Sequence, residues 1–167
     1  MVLSIVARNA DSATLDRLIT AVRASKDPLE KENLFGALGN IADPKGVERV
    51  MEFAVGPNAP AGAAPGMLIT LSADHPGVTW KFALRHVDRP EFATDSMMRI
   101  FLMPVIAGYS SDRTRTADLQ AYAADQHILP GARRGVEWAI AKINLNAKFR
   151  SDRLPEIDKW LASAMTR

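Results

Sequence analysis

The sequence contains three histidines, His75, His86 and His127, and no cysteine. A zinc peptidase needs two histidines one helical turn apart with a glutamate between them, as in H-E-x-x-H, so that both imidazoles bind one metal ion while the carboxylate activates water. None of the three histidines has that spacing. His86 and Asp88 could supply two ligands, but a histidine at a helix end is more often a solvated cap. We therefore expect neither a metal site nor a cofactor in this chain.

Ser110 and Ser111 lie in the run GYSSD at residues 108–112, which resembles a nucleophile turn only superficially. The G-x-S-x-G elbow is absent, and no strand pattern is present that could form the α/β sheet behind it. We expect these serines to cap the following helix. A hydrolase that uses one of them is the less favoured hypothesis. No phosphate-binding glycine pattern occurs either, so the sequence does not predict nucleotide binding. Since none of these catalytic motifs is present, the sequence predicts no catalytic residue, and this chain alone is not expected to be an enzyme.

Arg133 and Arg134 are the only candidates for ligand binding that the sequence offers. A guanidinium group binds a carboxylate through two parallel hydrogen bonds, so either arginine could hold the carboxylate of a peptide. The alternative is that both are ordinary surface residues near the start of a helix. The three tryptophans, Trp80, Trp138 and Trp160, lie beside apolar residues and are expected to anchor helix packing in the core.

The composition is that of a globular protein, with 47% hydrophobic and 24% charged residues. The formal net charge is +2, and basic and acidic residues are interleaved, which argues against a nucleic-acid surface. The longest apolar stretch, residues 100–107, is broken by Pro104 and is too short to span a membrane. We expect a soluble protein with no membrane or nucleic-acid partner. The compartment stays open, with a cytoplasmic location favoured.

Apolar residues recur with helical spacing along almost the whole chain, at positions i, i+3, i+4 and i+7. Short antiparallel helices joined by brief turns stack as an α-α superhelix of the HEAT or armadillo type, so the sequence predicts an all-α solenoid of roughly ten short helices. The predicted core stripes are Leu15, Leu18, Ile19 and Val22; Leu34, Phe35, Leu38 and Ile41; Val47, Val50, Met51 and Ala54; Val136, Ile140, Ile143 and Ala147; and Leu154, Ile157, Trp160 and Leu161 in a short last helix.

Helix starts are marked by Asp11-Ser12, Asp27-Pro28 and Asp43-Pro44, where a carboxylate can cap the first turn, and Glu30 is expected to complete a capping box with Asp27. Gly131 is expected to bound a further helix. Residues 97–106 are apolar nearly all round, which predicts the most buried helix, kinked or started by Pro104.

Residues 56–66 hold three glycines and three prolines and are expected to form a loop between two helices; a linker between domains is the alternative. We expect one helical domain over residues 1–167. The first residues read as a start inside a helix, so we interpret the chain as a C-terminal piece of a longer protein, with a natural start at Met1 as the alternative.

Several segments, taken in order, resemble the C-terminal helical domain of the M1 zinc aminopeptidases, the group that includes the endoplasmic-reticulum aminopeptidases. Residues 80–88, WKFALRHVD, are similar to the family's W-x-F-x-x-x-N-W-D stretch, although His86 and Val87 stand where Asn-Trp is common. Residues 107–111, AGYSS, resemble its G-[FY]-[ST]-[ST] turn. The other similar segments are residues 34–39, 43–44, 50–54, 98–101, 119–123, 134–146 and 154–161.

This resemblance implies a helical domain without a catalytic centre that follows a zinc-binding catalytic domain in the same polypeptide. It implies that the domain covers the active-site cavity and limits which peptides enter, so that the upstream domain and the peptide substrates are its partners. The zinc ion would then belong to the upstream domain. An independent HEAT-like scaffold that binds a protein helix or peptide in its concave groove is the alternative.

Overall fold

The computed structural model describes residues 2–89, 92, 96–124 and 132–165. Over these residues all regular elements of more than one turn are α-helices and no strand occurs, which confirms the all-α prediction. The helices of the described part are α1 Val2–Arg8, α2 Ser12–Ala24, α3 Pro28–Leu38, α4 Pro44–Ala54, α5 Ala64–Ser72, α6 Pro76–His86, α7 Ser96–Gly108, α8 Arg115–Ala124 and α9 Ala132–Met165.

Aspartates begin three helices, as the sequence predicts. Side-chain oxygens of Asp11, Asp27 and Asp43 accept hydrogen bonds from backbone amides in the first turns of α2, α3 and α4. These bonds satisfy amides that have no partner within the helix. Glu30 was expected to close a capping box with Asp27, but its Oε2 instead accepts a hydrogen bond of 2.6 Å from the hydroxyl of Ser25. Gly131 lies outside the described residues.

The helices pack in the order of the chain. Among the described residues, helices with extensive mutual contact are at most two positions apart, and α7 packs against α5, α6, α8 and α9. This pattern of near-neighbour packing is typical of a solenoid. Every described helix contributes buried apolar side chains to one connected core.

The predicted core stripes of α2 and α4 are fully buried, and those of α3 and of the first half of α9 are buried or half-buried. In α7, Leu102, Met103 and Ile106 are buried, whereas Phe101 is exposed. Pro104 lies inside α7 and does not start it. The Pro104 ring packs against Gly135 of α9, where an added Cβ would lie 3.2 Å from its Cγ.

The prediction of a separate short helix at the end of the chain is wrong. One helix of 34 residues, α9, runs through Pro155, which therefore leaves the carbonyl of Ser151 without its usual helical donor. That carbonyl belongs to an exposed residue, so water can supply the missing hydrogen bond. The predicted burial of the last stripe is wrong as well, because the residues from 151 to 164 are all exposed. All four stripe residues are exposed: Leu154, Ile157, Trp160 and Leu161.

The connection between α4 and α5 is shorter than the predicted loop. Helix α5 begins at Ala64, so residues 64–66 form its first turn, where a proline is tolerated because its missing N–H would have no helical partner. Gly62 has a φ of 74°, a left-handed conformation that glycine adopts without a steric penalty.

Candidate functional site

The two histidines that the structure describes, His75 and His86, do not come together. His75 precedes α6 and His86 is its last residue, which separates them by about 16 Å along the helix axis. The Nε2 of His75 donates a hydrogen bond of 3.0 Å to the carbonyl of Ile41, and the ring of His86 stacks on Phe82 at 4.1 Å between centroids. Within the part of the chain that is described, no three His, Asp or Glu side chains are grouped so that they could hold a metal ion. His127 lies outside the described residues.

The two serines are used in local hydrogen bonds. Ser110 is buried, and its Oγ accepts a bond of 3.0 Å from the amide of Asp112, while Ser111 Oγ accepts one of 3.4 Å from Arg150. An amide and a guanidinium cannot take a proton from a hydroxyl, so this arrangement does not resemble a nucleophile with its base. The serines do not cap α8 as expected: Asp112, which lies closer to the helix, accepts from the amide and hydroxyl of Thr114.

Arg133 and Arg134 are both exposed in the first turn of α9. Consecutive residues of an α-helix point in directions about 100° apart, so the two guanidinium groups do not form one fork. Either of them could bind a carboxylate alone, and that role stays a prediction.

Only one of the three tryptophans is a core residue. Trp80 is 1% exposed, as predicted, but Trp138 is 50% and Trp160 is 67% exposed, so the prediction is wrong for these two. Trp138 lies beside the face of α9 that carries the buried Val136 and Ala139, and Lys142 Nζ is 4.9 Å from the centroid of its ring. The spacing that places a residue near a core stripe does not decide whether it lies inside or at the rim.

Two adjoining cavities lie along the exposed side of α6. The larger has a volume of about 880 Å³ and is bordered by α4, α6 and the start of α8; the smaller, of about 550 Å³, lies between α6 and α8. Lys81, Leu84 and Arg115 line both cavities, which makes them two ends of one groove. We call this the α6–α8 groove and define it by Val78, Lys81, Leu84, Arg85, Arg115 and Tyr122.

Arg115 is held in a fixed position in the wall of the α6–α8 groove. Its side chain is only 12% exposed, its guanidinium carbon lies 5.1 Å from the centroid of the Trp80 ring, and its Nη1 donates a hydrogen bond of 2.7 Å to Asp118. A cation on the face of an indole is attracted by the negative charge of the π system.

Two buried donors next to this contact have no hydrogen-bond partner among the described residues: the Nε of Arg115 and the indole Nε1 of Trp80. Buried donors are satisfied in the large majority of cases, so such a pair requires an explanation. Sequence reasoning assigned Trp80 to the core and did not select Arg115. Their juxtaposition arises from the packing of α8 near α6, for which the sequence carries no local signal.

Described helices are all too short or too polar to cross a lipid bilayer. The described part of the molecule is an all-α, solenoid-like protein whose possible metal ligands and nucleophiles are dispersed. The profile of the family described as ERAP1-like C-terminal domain matches residues 1–145. The chain belongs to this family, a non-catalytic domain of M1 aminopeptidase-like proteins, as the sequence resemblance implies. Among curated proteins, none matches the chain.

Proposed function

We propose that residues 1–167 form the non-catalytic C-terminal domain of an M1-type zinc aminopeptidase, in which they cover the active-site cavity and control the access of peptides. The observation that carries this proposal is the match of residues 1–145 to the ERAP1-like C-terminal domain family. The zinc ion and the catalytic residues belong, in this proposal, to an upstream domain. This is consistent with the described side chains, which provide no cluster of metal ligands.

The first test is an assay of the chain itself on aminoacyl-anilide substrates with added zinc. We expect no turnover, because no H-E-x-x-H pair is present in the sequence. Turnover that a chelator abolishes would contradict the proposal. The upstream coding sequence gives a second test, in which an in-frame H-E-x-x-H supports the proposal and a stop codon directly before Met1 contradicts it.

The control of access is tested on the parent enzyme with and without this domain. If the domain encloses the peptide chamber, its removal is expected to change the relative rates for long and short peptides more than the rate for a single aminoacyl-anilide, which needs no chamber. An equal change for all substrates would show that the domain acts only on stability.

An independent peptide-binding scaffold is the second candidate function. The α6–α8 groove favours it, since this groove combines cations with apolar walls on the surface of the chain itself. The upstream coding sequence distinguishes the two functions.

A further inference from the structure

We propose that the exposed second half of α9 pairs with the same segment of a second copy of this chain, with the two helices antiparallel. We call residues 151–164 the α9 tail. The family match ends at residue 145, so the α9 tail lies outside it. The proposal depends on the shape and the side chains of α9 and is independent of the proposed function.

The α9 tail extends past the helix that packs on the first half of α9. Helix α7 runs in the same direction as α9, because its Pro104 packs against Gly135 and its last residue, Gly108, accepts a hydrogen bond of 3.0 Å from Asn146. Beyond this level, residues 151–164 are all exposed, over about 21 Å of helix. The α9 tail therefore continues where α7 has ended.

The α9 tail gains little stability from its own sequence. Isolated helices shorter than about 12–15 residues are marginal in water even when they are rich in alanine. Pro155 removes one backbone hydrogen bond from this segment. The ion pair of 2.8 Å between Arg153 and Glu156 joins two exposed side chains and contributes little. A surface that covers the α9 tail would supply the stabilisation that the segment itself lacks.

The apolar stripe of the α9 tail continues the face of α9 that is buried in the body. Leu154, Ile157 and Leu161 follow one another with helical spacing and are 39%, 44% and 46% exposed. Leu154 comes three helical turns after the buried Ile143, so both lie on one face. In the first half of α9 this face packs against a helix. The same face of the α9 tail therefore presents a surface that fits another helix.

The position of α7 decides how a second copy can lie on this stripe. In a parallel pair, the partner's α9 would run beside residues 135–146 as well, at the place that α7 occupies in each copy, and the two bodies would collide. In an antiparallel pair, the partner's α9 tail fills the space beyond Gly108, and its body lies past the far end of the helix pair. Identical surfaces that face each other in this way close about a twofold axis, as in most homodimers.

The antiparallel arrangement also gives the stripe a suitable partner along its length. A twofold axis near Pro155 places Leu154 of each copy against the partner's Ile157. Leu161 then meets the aliphatic part of the partner's Arg150, a residue whose guanidinium reaches Ser111 of its own chain. The apolar side chains of the two copies therefore cover one another.

The residues that flank the stripe are complementary in the same register. At about 100° per residue, Arg153 and Trp160 lie on one flank, so Arg153 of each copy faces the partner's Trp160. These two side chains are 61% and 67% exposed, and a cation is attracted to the face of an indole. On the other flank Asp158 faces the partner's Ser151, so that two carboxylates do not meet.

The size of the stripe sets the expected strength of the dimer. The exposed parts of Leu154, Ile157, Trp160 and Leu161 amount to about 300–400 Å² of apolar surface per copy. An interface of this size is at the low end for specific complexes, so we expect a reversible dimer with a Kd of about 10–100 µM. At concentrations well below this Kd the chain is monomeric, and unfolding experiments then report on the monomer.

Sedimentation of the full chain from about 1 µM to about 500 µM tests the proposal. We expect the mass to rise from that of the monomer, 18.2 kDa, to that of a dimer and no further. A chain that stays monomeric at the highest concentration overturns the proposal, and so does growth beyond the dimer. Binding of a monomeric chain to vesicles of phosphatidylcholine and phosphatidylserine would assign the stripe to a lipid surface and would also overturn it.

Two leucines of α9 provide matched variants. Leu161 lies in the stripe, whereas Leu145, which is 67% exposed, lies on the opposite side of the helix. Leu161→Glu would place a charge inside the interface and is expected to raise the Kd at least about tenfold. Leu145→Glu should leave the Kd unchanged. Both residues are exposed, so equal urea midpoints at low concentration would show that both variants fold. Equal effects of the two variants on the Kd would overturn the proposal.

Spin labels test the orientation of the two helices. The chain contains no cysteine, so Glu156→Cys and Ser163→Cys each provide a single labelling site, and both residues lie on one flank of the stripe. In the antiparallel dimer the two labels at position 156 lie at nearly the same height, whereas those at position 163 are separated by a further 20 Å or so, roughly, along the axis. Electron–electron resonance measures both distances. Equal distances would indicate a parallel pair and would overturn the proposal.

Discussion

Two glycines in neighbouring helices have opposite environments, and this difference can be measured. At Gly46 in α4, an added Cβ would lie 2.8 Å from Cγ1 of Ile41, whereas at Gly36 in α3 it would meet nothing within 4 Å. We expect Gly46→Ala to lower the free energy of unfolding by about 1–3 kcal/mol through overpacking. Gly36→Ala should raise it by about 0.5–1 kcal/mol, because alanine favours the helix.

Urea unfolding of the two glycine variants provides the measurement. The slope of the unfolding free energy against urea concentration should be the same in both, so that a shift of the midpoint reports a change in stability. A gain in stability for both variants would mean that Ile41 moves aside without cost, and the close packing of α4 described above would then be incorrect.

The carboxylate of Asp112 is a second feature at the scale of single residues. The hydroxyl of Thr114, and then its backbone amide, donate hydrogen bonds to this carboxylate and lower the pKa of Asp112 below its ordinary value of 3.8. The fold thus favours the ionised form. Its contribution to stability is complete above the ordinary pKa and is lost as the pH falls through the lowered pKa.

We expect Thr114→Ala to raise the pKa of Asp112, but only part of the way to the ordinary value, because the backbone amide remains. An NMR titration of the Asp112 side chain in both proteins measures this change, with Asp11 as the unchanged reference. A pKa of Asp112 that is identical in the two proteins would contradict the leading part assigned to the hydroxyl.

At the scale of elements, α9 divides into a packed half and an exposed half. Ile143 is fully buried, whereas Ile157, two heptads further along the same face, is 44% exposed. Removal of a buried isoleucine side chain to alanine costs about 2–5 kcal/mol, whereas most surface changes cost less than about 0.5 kcal/mol. We therefore expect Ile143→Ala to destabilise the protein strongly and Ile157→Ala to leave the urea midpoint almost unchanged.

The two isoleucine variants share the same chemical change, so each serves as the control for the other. If Ile157→Ala proved as costly as Ile143→Ala, the second half of α9 would have to be packed against another surface in solution. Hydrogen exchange supplies a further check, since amides after residue 150 should exchange much faster than those near Ile143.

At the scale of the whole molecule, ion pairs connect helices that are distant in the chain. Arg8 at the end of α1 and Asp74 after α5 form a salt bridge of 2.5 Å, with side chains that are 54% and 40% exposed. We expect Asp74→Asn to cost less than about 1 kcal/mol in dilute buffer, and this cost to shrink in 1 M salt, where screening is strong. A cost that is larger or independent of salt would indicate that Asp74 has a packing role.

The sequence was sufficient to predict the helical fold and much of the core, because a repeat of three to four residues is a local property. The stripe of Leu15, Leu18, Ile19 and Val22 could be read directly, and all four residues are buried. The same repeat in Leu154–Leu161 led to a wrong prediction of burial. A stripe shows which face can be buried, but only the tertiary structure shows whether a neighbour covers it.

The candidate site depends on a tertiary contact that the sequence does not predict. Trp80 and Arg115 are far apart in the chain, and neither carries a motif that would associate it with the other. Their contact depends on the path of the chain through α7, which places the start of α8 beside α6. The predicted candidates, Arg133 and Arg134, were chosen for the chemistry of the guanidinium group, which binds carboxylates, and their role stays a prediction.

The unequal exposure of the tryptophans gives the protein a built-in optical probe. Acrylamide should quench the emission of Trp138 and Trp160 readily while leaving a shorter-wavelength component from Trp80, whose indole is shielded from water. Because this shielded indole lies against Arg115, that residual light reports on the α6–α8 groove without any attached dye.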